Sequence, residues 1–320
     1  MRGVLDSIQL IDGDAVAERV TMRDAIRAVQ DLLRRGFDPD DDPPRAVVGV
    51  PNGQLLLMPA AIDGLAGQKL ASVAPGNPAR GLDRIQAVYV VLDGETLAPL
   101  AIMDGTALTS LRTPAVSAAV LDVTALADAS SLVVFGTGPQ GVRHVEAMAG
   151  IRDVRRVRFV GRDRERAARA VAAALGFLPA ADVAVGRPED VADADLVVCA
   201  STAAAPILAA GLVSDRAAIV AVGSHEPDER ELPGALLGRA QVIVETDRVA
   251  LTEAGDVIMA VAEGHLSPDG LVPMARILDG RAPVRFDRPR VFKSCGMGWQ
   301  DLAVARLALE PGAGGAGRTA

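Results

Sequence analysis

The sequence predicts an α/β protein in which a doubly wound parallel sheet domain is joined to an N-terminal α/β domain that the C-terminal helix completes. Three observations predict it. Beyond residue 130, apolar strand runs alternate with helical patterns, which is how a parallel sheet reads. Residues 45–103 instead carry short β-like runs broken by Pro-Asn-Gly and Asp-Gly turns, so they read as hairpins of an antiparallel or mixed sheet. The last 30 residues then leave the alternating pattern. With 320 residues, 50% hydrophobic and 23% charged, the chain is globular and long enough for two domains.

The elements follow in order. The opening stretch MRGVLDSIQLIDGDAVAERV carries acids where an export signal would carry an apolar run. Nowhere do apolar residues reach the roughly 18–20 in a row that a membrane span needs. Residues 21–36 (TMRDAIRAVQDLLRRG) read as an amphipathic helix capped by Thr21 and stopped at Gly36. An acidic loop, DPDDDPP, leads into the hairpins. Residues 105–123 read as helical, with small residues that permit close packing and Pro114 as a potential kink. SLVVF (131–135) is a buried strand, followed by a Gly-rich turn and a helix over 139–149. The strand VRRVRFV (154–160), a helix over 163–175, and strands at 195–200, 218–223 and 240–246 continue the series. VFKSCGMGWQDLAVARLAL reads as a strand end and a helix, and the tail EPGAGGAGRTA as disordered. The expected division is residues 1–118 with 291–320 returning to them, and 119–290 as the inserted domain.

Composition excludes several functions. A net charge of -8 and 2% aromatic residues speak against a nucleic-acid surface. Cys199 and Cys295 cannot build a disulfide framework, which points to a reducing cytoplasm. His144, His225 and His265 are scattered and pair with no cysteine at ligand spacing, so no metal site is expected. Of 33 basic residues, only Lys69 and Lys293 are lysines. Lysine is the cation that can give up its proton when desolvated, and arginine is not. The two lysines therefore mark places where an ammonium is needed, or are chance survivors.

The segment VVFGTGPQGVRHVEAM places Gly136-x-Gly138-x-x-Gly141 directly after a strand and at the opening of a helix, a Rossmann arrangement. Gly136 makes the tight turn, Gly138 lets backbone N–H groups approach a pyrophosphate, and Gly141 lets the helix pack on the strand. The end of the second strand decides between cofactors. Where a ribose-binding carboxylate would stand, the chain has Gly161. Arg162 follows and could pair with a 2′-phosphate, which favours NADPH; the plain alternative is a solvated arginine at a helix start. Asp163 could instead turn inward and hold the 2′-hydroxyl of NAD.

At the reacting end, Arg45 opens an apolar strand, and Lys69 lies in GLAGQKLASVA with no acid within five residues on either side. Arg112 is the lone charge in TSLRTPAVSAA. Cations in apolar surroundings are costly unless an anion meets them, and a substrate carboxylate is one such anion. A snorkelling side chain or an internal ion pair is the other reading for each.

These blocks together resemble the ornithine cyclodeaminase and μ-crystallin family. The resemblance rests on Arg45, Gly67-Gln68-Lys69, Asp104-Gly105-Thr106 through Leu111-Arg112-Thr113, and the Gly136–Gly141 turn. It continues through Gly223-Ser224-His225-Glu226-Pro227-Asp228, Glu253-Ala254-Gly255-Asp256 and Phe292-Lys293-Ser294-Cys295-Gly296-Met297. It implies a homodimer built through the N-terminal sheet, with that domain binding substrate and the inserted domain binding NADP or NAD. It implies a substrate carboxylate met by Arg45, Lys69 and Arg112, with Gly296 nearby. The implied cofactor contacts are Arg112, Thr113, Gly136, Gly138, Pro139, Gln140, Gly141, Arg162, Thr202, Gly223, Ser224, His225, Ser294 and Cys295. In one place the chain departs from the family: cyclodeaminases carry an acid/base aspartate at the third position of the block after the fourth strand, and here that position is His225. Asp228 resembles the Pro-Asp of μ-crystallin-like members.

The expected function is therefore an NAD(P)H-dependent reductase of a small imino acid, such as the cyclic ketimine Δ1-pyrroline-2-carboxylate. Lys69 and His225 are the expected catalytic residues, His225 as a proton relay near neutral pH. Two alternatives stand beside it: an ornithine cyclodeaminase that recycles bound NAD, and a non-catalytic protein that binds NADP(H) and a small ligand. No nucleic acid or membrane partner is expected.

Overall fold

A computed structural model describes residues 7–309, so the expectation for the tail falls outside the described residues. The chain forms two compact units. The first takes the residues up to Val29, Asp38–Arg112 and the chain from Met297; the second takes Gln30–Phe37 and Thr113–Gly296.

The first unit opens with β1 (Gln9–Ile11), α1 (Gly13–Arg19) and the first part of α2 (Met22–Arg34), which passes into the second unit at Gln30. Thr21 caps α2 as its spacing predicts, the Asp24 N–H donating to its hydroxyl at 3.2 Å. The hairpin strands are β2 (Ala46–Val50), β3 (Gly53–Ile62), β4 (Leu65–Val73), β5 (Ile85–Asp93) and β6 (Pro99–Asp104). They join β1 in one sheet of order β1-β6-β5-β4-β3-β2. All neighbours from β2 to β6 run antiparallel, while β1 lies parallel to β6. The β3–β4 connection is Asp63-Gly64, both at positive φ (49° and 75°), a two-residue turn whose twist suits the strands.

Register decides what faces inward. Lys69 lies opposite Met58 on β3 and Tyr89 on β5. All three are buried, with Leu56, Ala60, Ala71, Val73 and Val91 on the same face. The opposite face is also apolar and open: Leu10 is 80% exposed, and Leu70 and Val88 about two-fifths. This is why the strands read as near-continuous apolar runs.

α3 (Gly105–Thr124) is one continuous helix that includes Pro114. The second unit follows with β7 (Ser131–Phe135), α4 (Pro139–Ala149), β8 (Arg156–Val160), α5 (Arg164–Leu175), β9 (Asp182–Val185), β10 (Leu196–Cys199) and β11 (Ala218–Ala221). It continues through α6 (Gly234–Arg239), β12 (Gln241–Val244), α7 (Asp247–Glu253), α8 (Gly255–Ala262), β13 (Leu271–Pro273), α9 (Met274–Leu278) and β14 (Arg290–Lys293). The sheet is parallel throughout, in the order β13-β12-β14-β11-β10-β7-β8-β9. Its core is built from Val133, Val197, Ile219, Val242 and Val291 with their neighbours.

The sheet has eight strands, not the five read from the sequence. β9 and β13 are short edge strands. β14 is the larger surprise: the last strand in the chain sits between β11 and β12, in the middle of the sheet. Residues 290–293 thus belong to the parallel sheet, and the chain stays in the second unit through Gly296 and rejoins the first only at Met297. At the foot of β14 the buried Arg290 donates to the carbonyls of Thr124, Asp215, Arg216 and Arg288, which anchors the strand. α10 (Gly298–Ala308) ends the described chain and packs on β3 and β4. Gly298 makes this packing close, because a Cβ there would run into the Pro59 carbonyl.

Candidate active site

In the first unit, Lys69 and Arg112 are brought together by a residue that the sequence reading did not single out. Lys69 Nζ donates to Asp301 Oδ2 at 2.7 Å, and Arg112 Nε donates to Asp301 Oδ1 at 3.2 Å. Arg112 Nη1 also donates to Gln300 Oε1 at 2.8 Å. All four side chains are buried. One carboxylate thus balances two cations, and the arrangement keeps a net positive charge. Arg45, just before β2, lies within electrostatic reach of Lys69. Burial, Arg112 and Arg45 depress Lys69 and outweigh the opposing pull of Asp301, so its ammonium titrates at about 8.

Tyr89 completes the cluster. Its ring lies over Gly67, where a Cβ would collide with the hydroxyl. That hydroxyl is buried without a hydrogen-bond partner among the described residues. Burial, Asp301 and Asp42 push it well above its ordinary value, so it stays protonated. Asp42, from the acidic loop, accepts the Trp299 N–H at 3.2 Å and fixes the start of α10.

In the second unit, the Gly-rich turn joins β7 to α4. Gly136 is at φ +128°, and a Cβ there would strike the Ala200 carbonyl at the end of β10. β7 and β10 are neighbours from which the strand order runs outward both ways, the switch point where such sheets bind ligands. A Cβ on Gly138 would meet open space, whereas one on Gly141 would strike the Gly136 carbonyl. No side chain caps α4, and Pro139 opens it. An open backbone cradle at an uncapped helix start fits a dinucleotide pyrophosphate. Gln140 holds this turn through its carbonyl, which meets His144 Nδ1 at 2.7 Å, while Ser117 Oγ lies 2.9 Å from His144 Nε2. Burial holds the His144 imidazole near 4, so it is neutral.

At the end of β8 a side chain would displace Thr137. A Cβ on Gly161 would stand 2.6 Å from the Thr137 side chain. Asp163 caps α5, accepting from the N–H groups of Glu165 at 2.9 Å and Arg166 at 3.0 Å. Arg162 is exposed and makes no hydrogen bond or ion pair among the described residues.

The loops that follow β10, β11 and β14 are held by buried carboxylates. Glu231 accepts from Ser201 N and Oγ and from Gly223 N, each at 2.7 Å. Asp256 accepts from the N–H groups of Glu231 and Leu232. Lys293 Nζ donates to the Ser224 carbonyl at 2.6 Å and lies 3.1 Å from Asp256. Burial lowers the Lys293 ammonium, yet Asp256, Cys295 and Glu231 outweigh it and the net shift is upward. Glu245 accepts from Ser294 Oγ at 2.8 Å, Cys295 N at 2.8 Å and Gly296 N at 3.0 Å. Thr202 is exposed, and His225 is half-buried with Nε2 3.8 Å from Glu226. Asp228 is exposed. Because β9 was not foreseen, the strand before this block is the fifth of its sheet in chain order.

The sequence singled out the cations but not Asp301, Gln300, Glu231 or Glu245. Asp301 stands 232 positions from Lys69, and no local pattern links them. Glu231 sits in an acid-rich block where one carboxylate looks like another. Among the described residues, no group of three or more His, Cys, Asp or Glu side chains could hold a metal ion. Among the same residues, no helix is long and apolar enough to cross a membrane.

Two units, one carrying a dinucleotide cradle and the other a buried cation cluster, define the class. The chain belongs to the ornithine cyclodeaminase/mu-crystallin family, whose model matches residues 9–314. It is 32% identical over 269 residues to a Δ1-pyrroline-2-carboxylate reductase of Bacillus thuringiensis, covering 80% of each chain. It is 32% identical over 272 residues to the mouse ketimine reductase mu-crystallin, covering 84% of each. Among solved structures, an archaeal alanine dehydrogenase dimer with bound NAD superposes with a TM-score of 0.88 at 26% identity, over 94% of this chain and 95% of that one.

The buried network makes a stability prediction. Lys293→Ala leaves Asp256 and Glu231 buried without their cation and is expected to cost about 3–5 kcal/mol. Urea unfolding of the variant checks this, and a loss below about 1 kcal/mol, the worth of an exposed pair, would contradict it.

Proposed function

We propose that this chain is an NAD(P)H-dependent reductase of a small imino acid, a cyclic ketimine such as Δ1-pyrroline-2-carboxylate. The observation that carries the reading is the Lys69–Asp301–Arg112 cluster, where two buried cations share one carboxylate and have charge left for an anionic ligand. The relatives named as pyrroline-2-carboxylate and ketimine reductases support the substrate class.

The roles follow from the chemistry of the groups. Arg45 and Arg112 hold the substrate carboxylate. Lys69 donates the proton that the nitrogen takes up as the C=N bond is reduced; with an ammonium that titrates at about 8, it is mostly charged at neutral pH and can still release its proton. His225 is the second proton carrier of this reading. Gly136, Gly138, Pro139, Gln140 and Gly141 cradle the pyrophosphate, and Thr202, Gly223, Ser224, Ser294 and Cys295 line the remaining cofactor contacts. Bound nicotinamide supplies the hydride. We assign a preference for NADPH to Arg162, since Gly161 supplies no ribose-binding carboxylate and Asp163 is engaged as a cap.

A homodimer through the outer face of the first unit's sheet is part of the same reading. Leu10, Leu70 and Val88 stand exposed there, together with Val48 on the edge strand β2. The NAD-bound alanine dehydrogenase is itself described as a dimer. Sedimentation velocity should give twice the chain mass, and a monomer at micromolar concentration would overturn this. We place the protein in the cytoplasm, because Cys199 and Cys295 form no disulfide.

Steady-state kinetics test the assignment. NADPH-dependent reduction of Δ1-pyrroline-2-carboxylate is expected, with little proline formed from ornithine and NAD. Redox-neutral proline formation without imine reduction would make the protein an ornithine cyclodeaminase, and cofactor binding without either activity would make it a ligand-binding protein. In the same assay, Arg162→Ala should weaken NADPH by about 1–3 kcal/mol and leave NADH nearly unchanged. Equal losses for both cofactors would remove Arg162 from the cofactor site.

A further inference from the structure

Asp301 has no part in the roles above, yet it is the group around which they are arranged. Its two oxygens meet cations from two elements, Lys69 on β4 and Arg112 on α3. Neither cation can swing away without stranding a buried charge. The helix that carries this carboxylate is fixed at its start. Asp42 ties down the Trp299 N–H, and Gly298 lies so close to the Pro59 carbonyl that the first turn of α10 has no lateral freedom. Gln300, one residue earlier, takes a second nitrogen of Arg112 at 2.8 Å. The titratable and charged groups facing Lys69 are Tyr89 from β5, Arg112 from α3, Asp301 from α10 and Arg45 from the residue before β2.

We propose that Asp301 is a positioning residue for imine reduction, one carboxylate that aims the Lys69 ammonium and holds the Arg112 guanidinium at a fixed spacing from it. The proposal rests on the reductase reading above. In that reaction the imine carbon gains a hydride from the reduced nicotinamide, and the C=N π pair moves onto nitrogen. An N–H bond forms there as an Nζ–H bond of Lys69 breaks, leaving a neutral amine that solvent reprotonates. The nicotinamide is oxidised, the imine is reduced and one proton is consumed. A proton donor and a carboxylate anchor tied to one rigid group keep the substrate nitrogen in reach of Nζ, where a flexible lysine would not.

The sign of the pH effect follows. Lys69 must be charged to donate, so kcat/KM for reduction falls as pH rises through its titration. For the reverse oxidation it must be neutral, so kcat/KM rises through the same range. Asp301 supports the charged form. Asp301→Asn is therefore expected to move both limbs to lower pH by about one unit. A merely structural role would lower the rate at every pH and leave the limbs where they are. Asp301→Glu keeps the charge but displaces it, and should lose kcat by about ten- to a hundredfold with the limbs unmoved.

The chain has only two lysines, which allows a direct reading without turnover. With 13Cε-labelled lysine, the protein should give two ε-carbon signals, Lys69 titrating near 8 and Lys293 remaining charged above that range. In Asp301→Asn the Lys69 signal should titrate about one unit lower. If that variant does not fold, the Asp301→Glu kinetics decide. An unmoved Lys69 titration in Asp301→Asn, or wild-type kcat in Asp301→Glu, would overturn the proposal. A wild-type protein that reduces no imine would instead sink the functional reading, and the lysine titration would still decide what Asp301 does.

Discussion

Two cations cannot be buried side by side without an anion between them, and in this protein that anion is the carboxylate of Asp301. Lys69 comes from a strand, Arg112 from a long helix and Asp301 from the last helix, so the pairing ties three distant stretches of chain into one unit. The geometry leaves a shortage of negative charge, because one carboxylate serves two cations. A ligand with its own carboxylate would relieve that shortage. Burial, joined by the neighbouring Arg112 cation, depresses the Lys69 ammonium to about 8, where it can exchange protons near neutral pH.

The second unit solves the same problem with the signs reversed. Lys293 is buried against Asp256, with Glu231 close by, and the carboxylates anchor backbone N–H groups of the loops after β10 and β11. Glu245 does likewise for residues 294–296. These loops stand at the carboxyl ends of parallel strands, where an open α/β sheet binds its ligands. Buried charges hold these loops in place. The two lysines of this arginine-rich chain thus both stand in buried carboxylate pairs.

Much of the fold was legible in the sequence because it is local. Asn-Gly and Asp-Gly turns marked hairpins, and the Gly136–Gly141 spacing marked the dinucleotide turn between a strand and a helix. Lys69 and Arg112 stood out because nothing charged lies near them in sequence. What could not be read is what depends on long-range pairing. β14 is four residues long and is followed by a helix of the first unit, so it read as part of the return; only its pairing with β11 and β12 puts it in the sheet centre. β1 gains its identity from β6, ninety residues on. Asp301 and Glu231 are single acids whose partners are fixed only by the tertiary fold.

In the proposed reaction Lys69 moves a proton as well as holding a charge. Replacing it by arginine separates the two, since guanidinium keeps the charge and cannot give up its proton at working pH. The decisive measurement is kcat and KM of Lys69→Arg for Δ1-pyrroline-2-carboxylate with NADPH. The account predicts a KM within several-fold of wild type and a kcat reduced by about 100-fold or more, the usual worth of a positioned acid. A kcat close to wild type would contradict it and reduce Lys69 to an electrostatic anchor.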